Sequence, residues 1–269
     1  MRNPCRQSSV PPVIRIVLSV AIFLATAVTA FAQTPLKITS GEDLPVPGKP
    51  VAADHGQLSE HNIEWMQTQP PQVEAEFLLS AAIEINLAVY NLAKTEDTAE
   101  RLIRSAEERP NNRQFAGWEL GMLASRGVEP ERIHQELVKY MHDPEEKIRY
   151  WAVEGDAHLG TDETIKDFLE VLRSDPSMEV RERAGCSLAK SGMMTRSQRM
   201  KAVPGLIDLA QDDSLNLTTR SWVYQALREI TNQYLPNDVG VWRSWYEKSG
   251  AERAQLFRQG EQWSVLGNN

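Results

Sequence analysis

The chain has 269 residues, with 29 Lys plus Arg against 37 Asp plus Glu, a formal net charge of −8. An acidic chain with no long basic run is a poor match for nucleic acid or anionic lipid. Its two cysteines, Cys5 and Cys186, leave little room for a disulfide framework.

Residues 1–32 read as a secretory signal peptide. Arg2, Arg6 and Arg15 form a positive start with no acidic residue, Ile16 to Ala30 is an apolar run, and Ala30-Phe31-Ala32 fits the small-x-small rule for cleavage before Gln33. No stop-transfer pattern follows, so no integral membrane span is expected after cleavage, and the destination is the periplasm or the extracellular space. The mature chain then carries 26 Lys plus Arg against 37 Asp plus Glu, seven Trp, and Cys186 as its single cysteine. No intramolecular disulfide is expected in it.

Residues 33–69 read as a tether with a short helix. Pro35, Pro45, Pro47 and Pro50 with Gly41 and Gly48 carry no apolar periodicity, and Ser59 to Gln67 has helical character. Residues 70–231 read as helical repeats. Glu74 to about Leu92 is a long helical pattern, and Thr95–Arg109 reads as its partner. First helices of later pairs are predicted near 130–142, 163–174 and 200–212. Gly127, Gly160 and Gly192 stand where left-handed caps end helices. Residues 232–269 read as C-terminal capping helices, with Asn237 or Asp238 capping a helix that carries Trp242 and Trp245 on one face. No segment alternates with period two for long enough to make a strand, so the class is all-α.

The second helices carry a recurring unit. Asn112-Arg113-Gln114-Phe115-Ala116 is followed by Ile148-Arg149-Tyr150-Trp151-Ala152, Val180-Arg181-Glu182-Arg183-Ala184 and Thr219-Arg220-Ser221-Trp222-Val223, and the Arg recurs at intervals of 36, 32 and 39 residues. Such a period marks a helical solenoid. Asp143-Pro144 before Arg149, Asp175-Pro176 before Arg181, and Ala202-Val203-Pro204-Gly205-Leu206-Ile207-Asp208-Leu209 resemble HEAT repeats of the bacterial, phycobilisome-lyase type over roughly residues 107–231. The resemblance implies a right-handed α-solenoid of HEAT-like helical hairpins with a C-terminal helical cap. It also implies a hydrogen-bonded ladder between stacked repeats, built from Asp143, Arg149, Asp175 and Arg181 with Arg113 and Arg220. Glu107 and Ser214 stand in the Asp place of the first and last units, so the ladder is expected to weaken at both ends.

Helical phase assigns the faces. Advancing about 100° per residue, positions four, eight and eleven of each unit fall on one arc, which holds Ala116, Leu120, Ala152, Ala184, Leu188, Val223 and Leu227. Asp156 stands where the other units have Leu, so it is either paired or displaced by a local shift beside Gly155. Positions two and six fall opposite the core and hold Gln114, Trp118, Tyr150, Glu154, Glu182 and Gln225, an expected partner-binding stripe on the concave side with Trp118 and Tyr150 as anchors.

Catalytic signatures are missing: there is no GxSxG, HExxH, CxxC or phosphate-cradling glycine loop. Cys186 reads as an inert small residue. His55, His61, His134, His142 and His158 read as surface histidines with no metal, because even His142 and His158 with an acid match no ligand signature. The expected function is an exported scaffold or adaptor without cofactor, binding a protein partner in the cell envelope. The alternative suggested by the resemblance is a bilin-lyase-like protein that handles a tetrapyrrole.

Overall fold

A computed structural model describes residues 73–190 and 192–266, with side chains described from Leu79 to Glu261. The predicted signal segment, the predicted tether and His55 and His61 therefore lie outside the described residues. Within them the chain forms α1 (Val73–Val89), α2 (Glu96–Glu108), α3 (Arg113–Ala124), α4 (Pro130–Met141), α5 (Glu146–Leu159), α6 (Asp162–Ser174), α7 (Met178–Ala189), α8 (Val203–Gln211), α9 (Leu217–Thr231), α10 (Val239–Trp245) and α11 (Ala251–Leu266). A single turn, Arg196–Arg199, and a 3-10 turn lead into α8, and a π-helical turn, Tyr246–Gly250, joins α10 to α11. No strand occurs among the described residues, and no helix there is long and apolar enough to cross a membrane.

Local chemistry sets the boundaries. Thr95 caps α2 by accepting from the Thr98 backbone N–H, ahead of Glu96 and Asp97, which suit the positive end of the helix dipole. Asn216 caps α9 through Thr219 N at 2.8 Å, and Asp238, rather than Asn237, caps α10 through Val241 N at 3.0 Å. Gly127, Gly160 and Gly192 all have positive φ, and Gly160 is the left-handed cap of α5.

The helices pair into hairpins α2/α3, α4/α5, α6/α7 and α8/α9, and the second helices α3, α5, α7 and α9 stack side by side. The expected pairing of the first two helices is corrected here: α2 packs on α3 as the first member of its hairpin, while α1 lies against α3 from outside. Between the hairpins runs a core of Leu120, Leu123, Ile133, Leu137, Ala152, Phe168, Leu172, Ala184, Leu188, Leu206, Val223 and Leu227. At the C-terminal end Trp242 is fully buried, stacks edge-on with Trp245 at 6.0 Å and donates Nε1–H to Pro236 O at 2.9 Å. It covers the apolar face that the last hairpin would otherwise expose.

The tightest junction is α3 against α5. A Cβ added at Gly121 would lie 2.0 Å from Gly155 O, and one added at Gly155 would lie 2.1 Å from Gly117 O. The two backbones touch there, so any side chain forces the helices apart. Arg199, buried before α8, closes another junction by donating to Ser187 O, Leu188 O, Gly192 O and Met194 O, which satisfies carbonyls at the end of α7.

Glycines in this fold are thus not equivalent. Gly121→Ala and Gly155→Ala are expected to lower unfolding stability by about 2–3 kcal/mol through overpacking. Gly185→Ala meets only Leu172 Cδ1 at 3.5 Å, inside α7, so it is expected to raise stability by about 0.5–1 kcal/mol. Urea melts of the three variants test the contrast.

Candidate functional site

The Arg column builds a ladder from one hairpin to the next. Arg113 Nη1 donates to Asp143 Oδ2 at 2.7 Å, and Arg149 grips Asp175 with two bonds, Nε to Oδ2 at 2.8 Å and Nη2 to Oδ1 at 3.1 Å. Arg149 also holds its own hairpin's loop through Asp143 O at 2.9 Å and Pro144 O at 3.0 Å. Asp143 and Asp175 each accept the backbone N–H two residues on, from Glu145 and Ser177. One carboxylate therefore shapes a turn and receives the preceding hairpin's guanidinium.

The C-terminal end differs from the expectation. In the last unit Asp212, not Ser214, takes the Asp place: it accepts from Ser214 N at 3.0 Å because this loop is longer. Its cation is Arg173 of α6, with Nε at 3.0 Å. Arg181 turns to the Asp175 carbonyl of its own hairpin, and Arg220 donates to Asp212 O at 3.0 Å and Leu215 O at 3.3 Å.

The predicted partner stripe is only partly a surface. Trp118 is buried at 9% exposure, edge-on to Tyr90 at 5.6 Å and to Trp151 at 6.3 Å, and Trp151 stacks on Tyr150 at 5.6 Å. Trp118 is buried because Tyr90, just past the end of α1, and Trp151 of α5 close over that side of α3. Glu154 is ion-paired with Arg183 of α7, and Gln225 donates to Glu229 Oε1 at 3.0 Å. Burial followed by the Glu179 charge raises the Glu182 carboxyl pKa. Gln114, Tyr150, Glu182 and Gln225 are partly exposed, and beside them so are Trp151 and Trp222, while Phe115 is exposed.

The histidines are not surface groups as a set. His134 of α4 lies between two carboxylates, with Nδ1 2.8 Å from Asp156 Oδ1 of α5 and Nε2 3.2 Å from Asp167 Oδ2 of α6. Asp156 is therefore paired within a continuous helix and not displaced. The hydrogen bonds to Asp156 and then Asp167 push the His134 pKa up to about 10 despite partial burial. Burial pushes Asp156 the other way from an ordinary acid, upward, and His134 counters it. With an acceptor on each ring nitrogen, the shared proton stays on the imidazole. No sequence signature marks this trio, since its members stand 22 and 11 residues apart.

His158 is buried without a hydrogen-bond partner on Nδ1, and burial drives its pKa down to about 4. Cys186 is buried in α7.

The arrangement of paired helices, stacked second helices and Arg–Asp rungs has a counterpart among known families. A profile described as HEAT repeats matches residues 95–189, which span α2 to α7. Residues 95–189 are thus HEAT repeats. HEAT repeats form helical scaffolds that mediate protein interactions. The fourth hairpin, α8/α9, continues the stack beyond the matched residues. No curated protein matches the chain.

Arg149→Ala strands the Asp175 carboxylate, which is 3% exposed at its side chain, and is expected to cost about 3 kcal/mol in a urea melt. Arg104→Ala, which removes an exposed i,i+4 pair with Glu100, is expected to cost at most about 0.5 kcal/mol. Equal costs would remove the ladder's structural role.

His158 sets an acid limit. Above its ordinary pKa of 6.5 the ring is neutral in both states. Below that the unfolded chain takes a proton that the folded ring refuses until about pH 4. Stability therefore falls as pH drops through this window, by about 3 kcal/mol from this residue. Denaturation midpoints of His158→Gln should decline less steeply than wild type over the same window, and parallel declines would refute the assignment.

Proposed function

We propose that the chain is an exported helical scaffold that binds a protein partner in the cell envelope through the outward face of its stacked second helices. The observation that carries this reading is a set of partly exposed or exposed aromatics, Phe115, Tyr150, Trp151 and Trp222, held on helices whose other faces are locked into the core. Rigid aromatic side chains bury much apolar area at small entropic cost, which suits an interface anchor. Export rests on the positive start, the apolar run and Ala30-Phe31-Ala32. Pigment in the purified protein would instead favour the tetrapyrrole-handling alternative.

Affinity capture from envelope extracts tests the surface. A Phe115→Ala/Trp222→Ala double variant is expected to lose the partner by at least about tenfold, with the melting temperature changed by no more than about 2 °C. Trp118→Ala removes a buried anchor of the α1–α3–α5 junction and is expected to lower the melting temperature on the order of 10 °C. Unaltered capture by the double variant would sink the assignment of this face. Recovery only of a full-length, membrane-bound species from the native host would sink export.

A further inference from the structure

We propose that His134, Asp156 and Asp167 form a binding site for one divalent transition-metal ion of the zinc type, placed where the second hairpin meets the third. Three observations carry it. One potential ligand atom from each residue lies within 4.8 Å of the others, and the three come from α4, α5 and α6. One imidazole nitrogen with two carboxylate oxygens is a donor set that zinc and its neighbours accept, leaving coordination positions open to water.

The second observation is an unsatisfied oxygen. Asp156 is 0% exposed, and although Thr164 beside it favours the charged form, Oδ2 has no partner in hydrogen-bonding geometry. Leaving such an oxygen unpaired in the interior is costly. A cation on the carboxylate removes that cost.

The third is position in the repeat. Asp156 occupies the place that Leu120, Leu188 and Leu227 fill in the other units, all of them fully buried. A core position has been given to a carboxylate only where a His and a second Asp converge on it. The partial exposure of His134 and Asp167, 16% and 21% at their side chains, leaves a route in from solvent. A bound ion takes one ring nitrogen in place of its proton and one oxygen from each Asp, and so ties three helices together.

The test uses the full chain, stripped with a chelator and titrated with zinc chloride at about pH 8, with magnesium chloride for comparison. One equivalent of zinc should bind and raise the melting temperature. Magnesium, which prefers an all-oxygen octahedron, should do neither. His134→Gln and Asp167→Asn should each weaken zinc binding by at least about tenfold. Absence of zinc binding by the native chain, or unchanged binding in both variants, overturns the proposal. X-ray absorption of the zinc-loaded native chain provides a reading that does not depend on variants folding. A shell of nitrogen and oxygen with one imidazole supports the site, and a shell with several imidazoles or with sulfur overturns it. The readouts are independent of any partner, so this site and the scaffold reading fail separately.

Discussion

Two helices touching backbone to backbone set the geometry of this repeat stack. Gly117 and Gly121 of α3 face Gly155 of α5 with no room for a Cβ at the closest points. Direct contact fixes how near one second helix comes to the next, and close packing transmits that spacing to the side chains around it. On one side of the contact, Trp118 is pressed between Tyr90 and Trp151. On α5 itself the residue after Gly155 is Asp156, which reaches His134 of α4. An aromatic cluster and a buried acid thus flank one glycine seam.

The same inter-helix contact recurs along the stack with different chemistry. Position six of one unit meets position three of the next: Trp118 meets Trp151 across α3 and α5, and Glu154 meets Arg183 across α5 and α7. The first junction is aromatic and the second ionic, yet both occupy the same geometric place. This explains why a face that phase assigns to solvent is half consumed by packing. Neighbouring repeats in a solenoid bury each other's flanks as well as their cores. What stays at least partly open to solvent is the outer rim of each contact, including Trp222 and Phe115.

Much of the architecture was legible in the sequence because it depends on local periodicity. The Arg spacing placed the four second helices, and Gly127, Gly160 and Gly192 marked their connections with positive φ. The last rung departs from the repeat: Ser214 stands six residues before Arg220, whereas the turn that uses the carboxylate begins at Asp212. The sites were less legible, for a physical reason. Trp118 owes its burial in part to Tyr90, just past a helix with no Arg in register, and the His134 trio joins three helices that no single periodicity relates. Gly117-x-x-x-Gly121 was the one available signal for the close seam, since small residues one turn apart permit backbone contact.

The ladder and the seam divide the work of specifying the stack. The Arg149–Asp175 pair is buried, bidentate and joined to two loop carbonyls, so it selects one register between hairpins. Buried ion pairs are weak sources of net stability because desolvation offsets their attraction, and their effect is felt mainly when one partner is lost. Apolar packing at the glycine seam and the Leu core supplies the stability instead. A slipped register would keep much of the apolar contact but leave guanidinium and carboxylate groups unpaired. The ladder therefore acts by making wrong stackings costly.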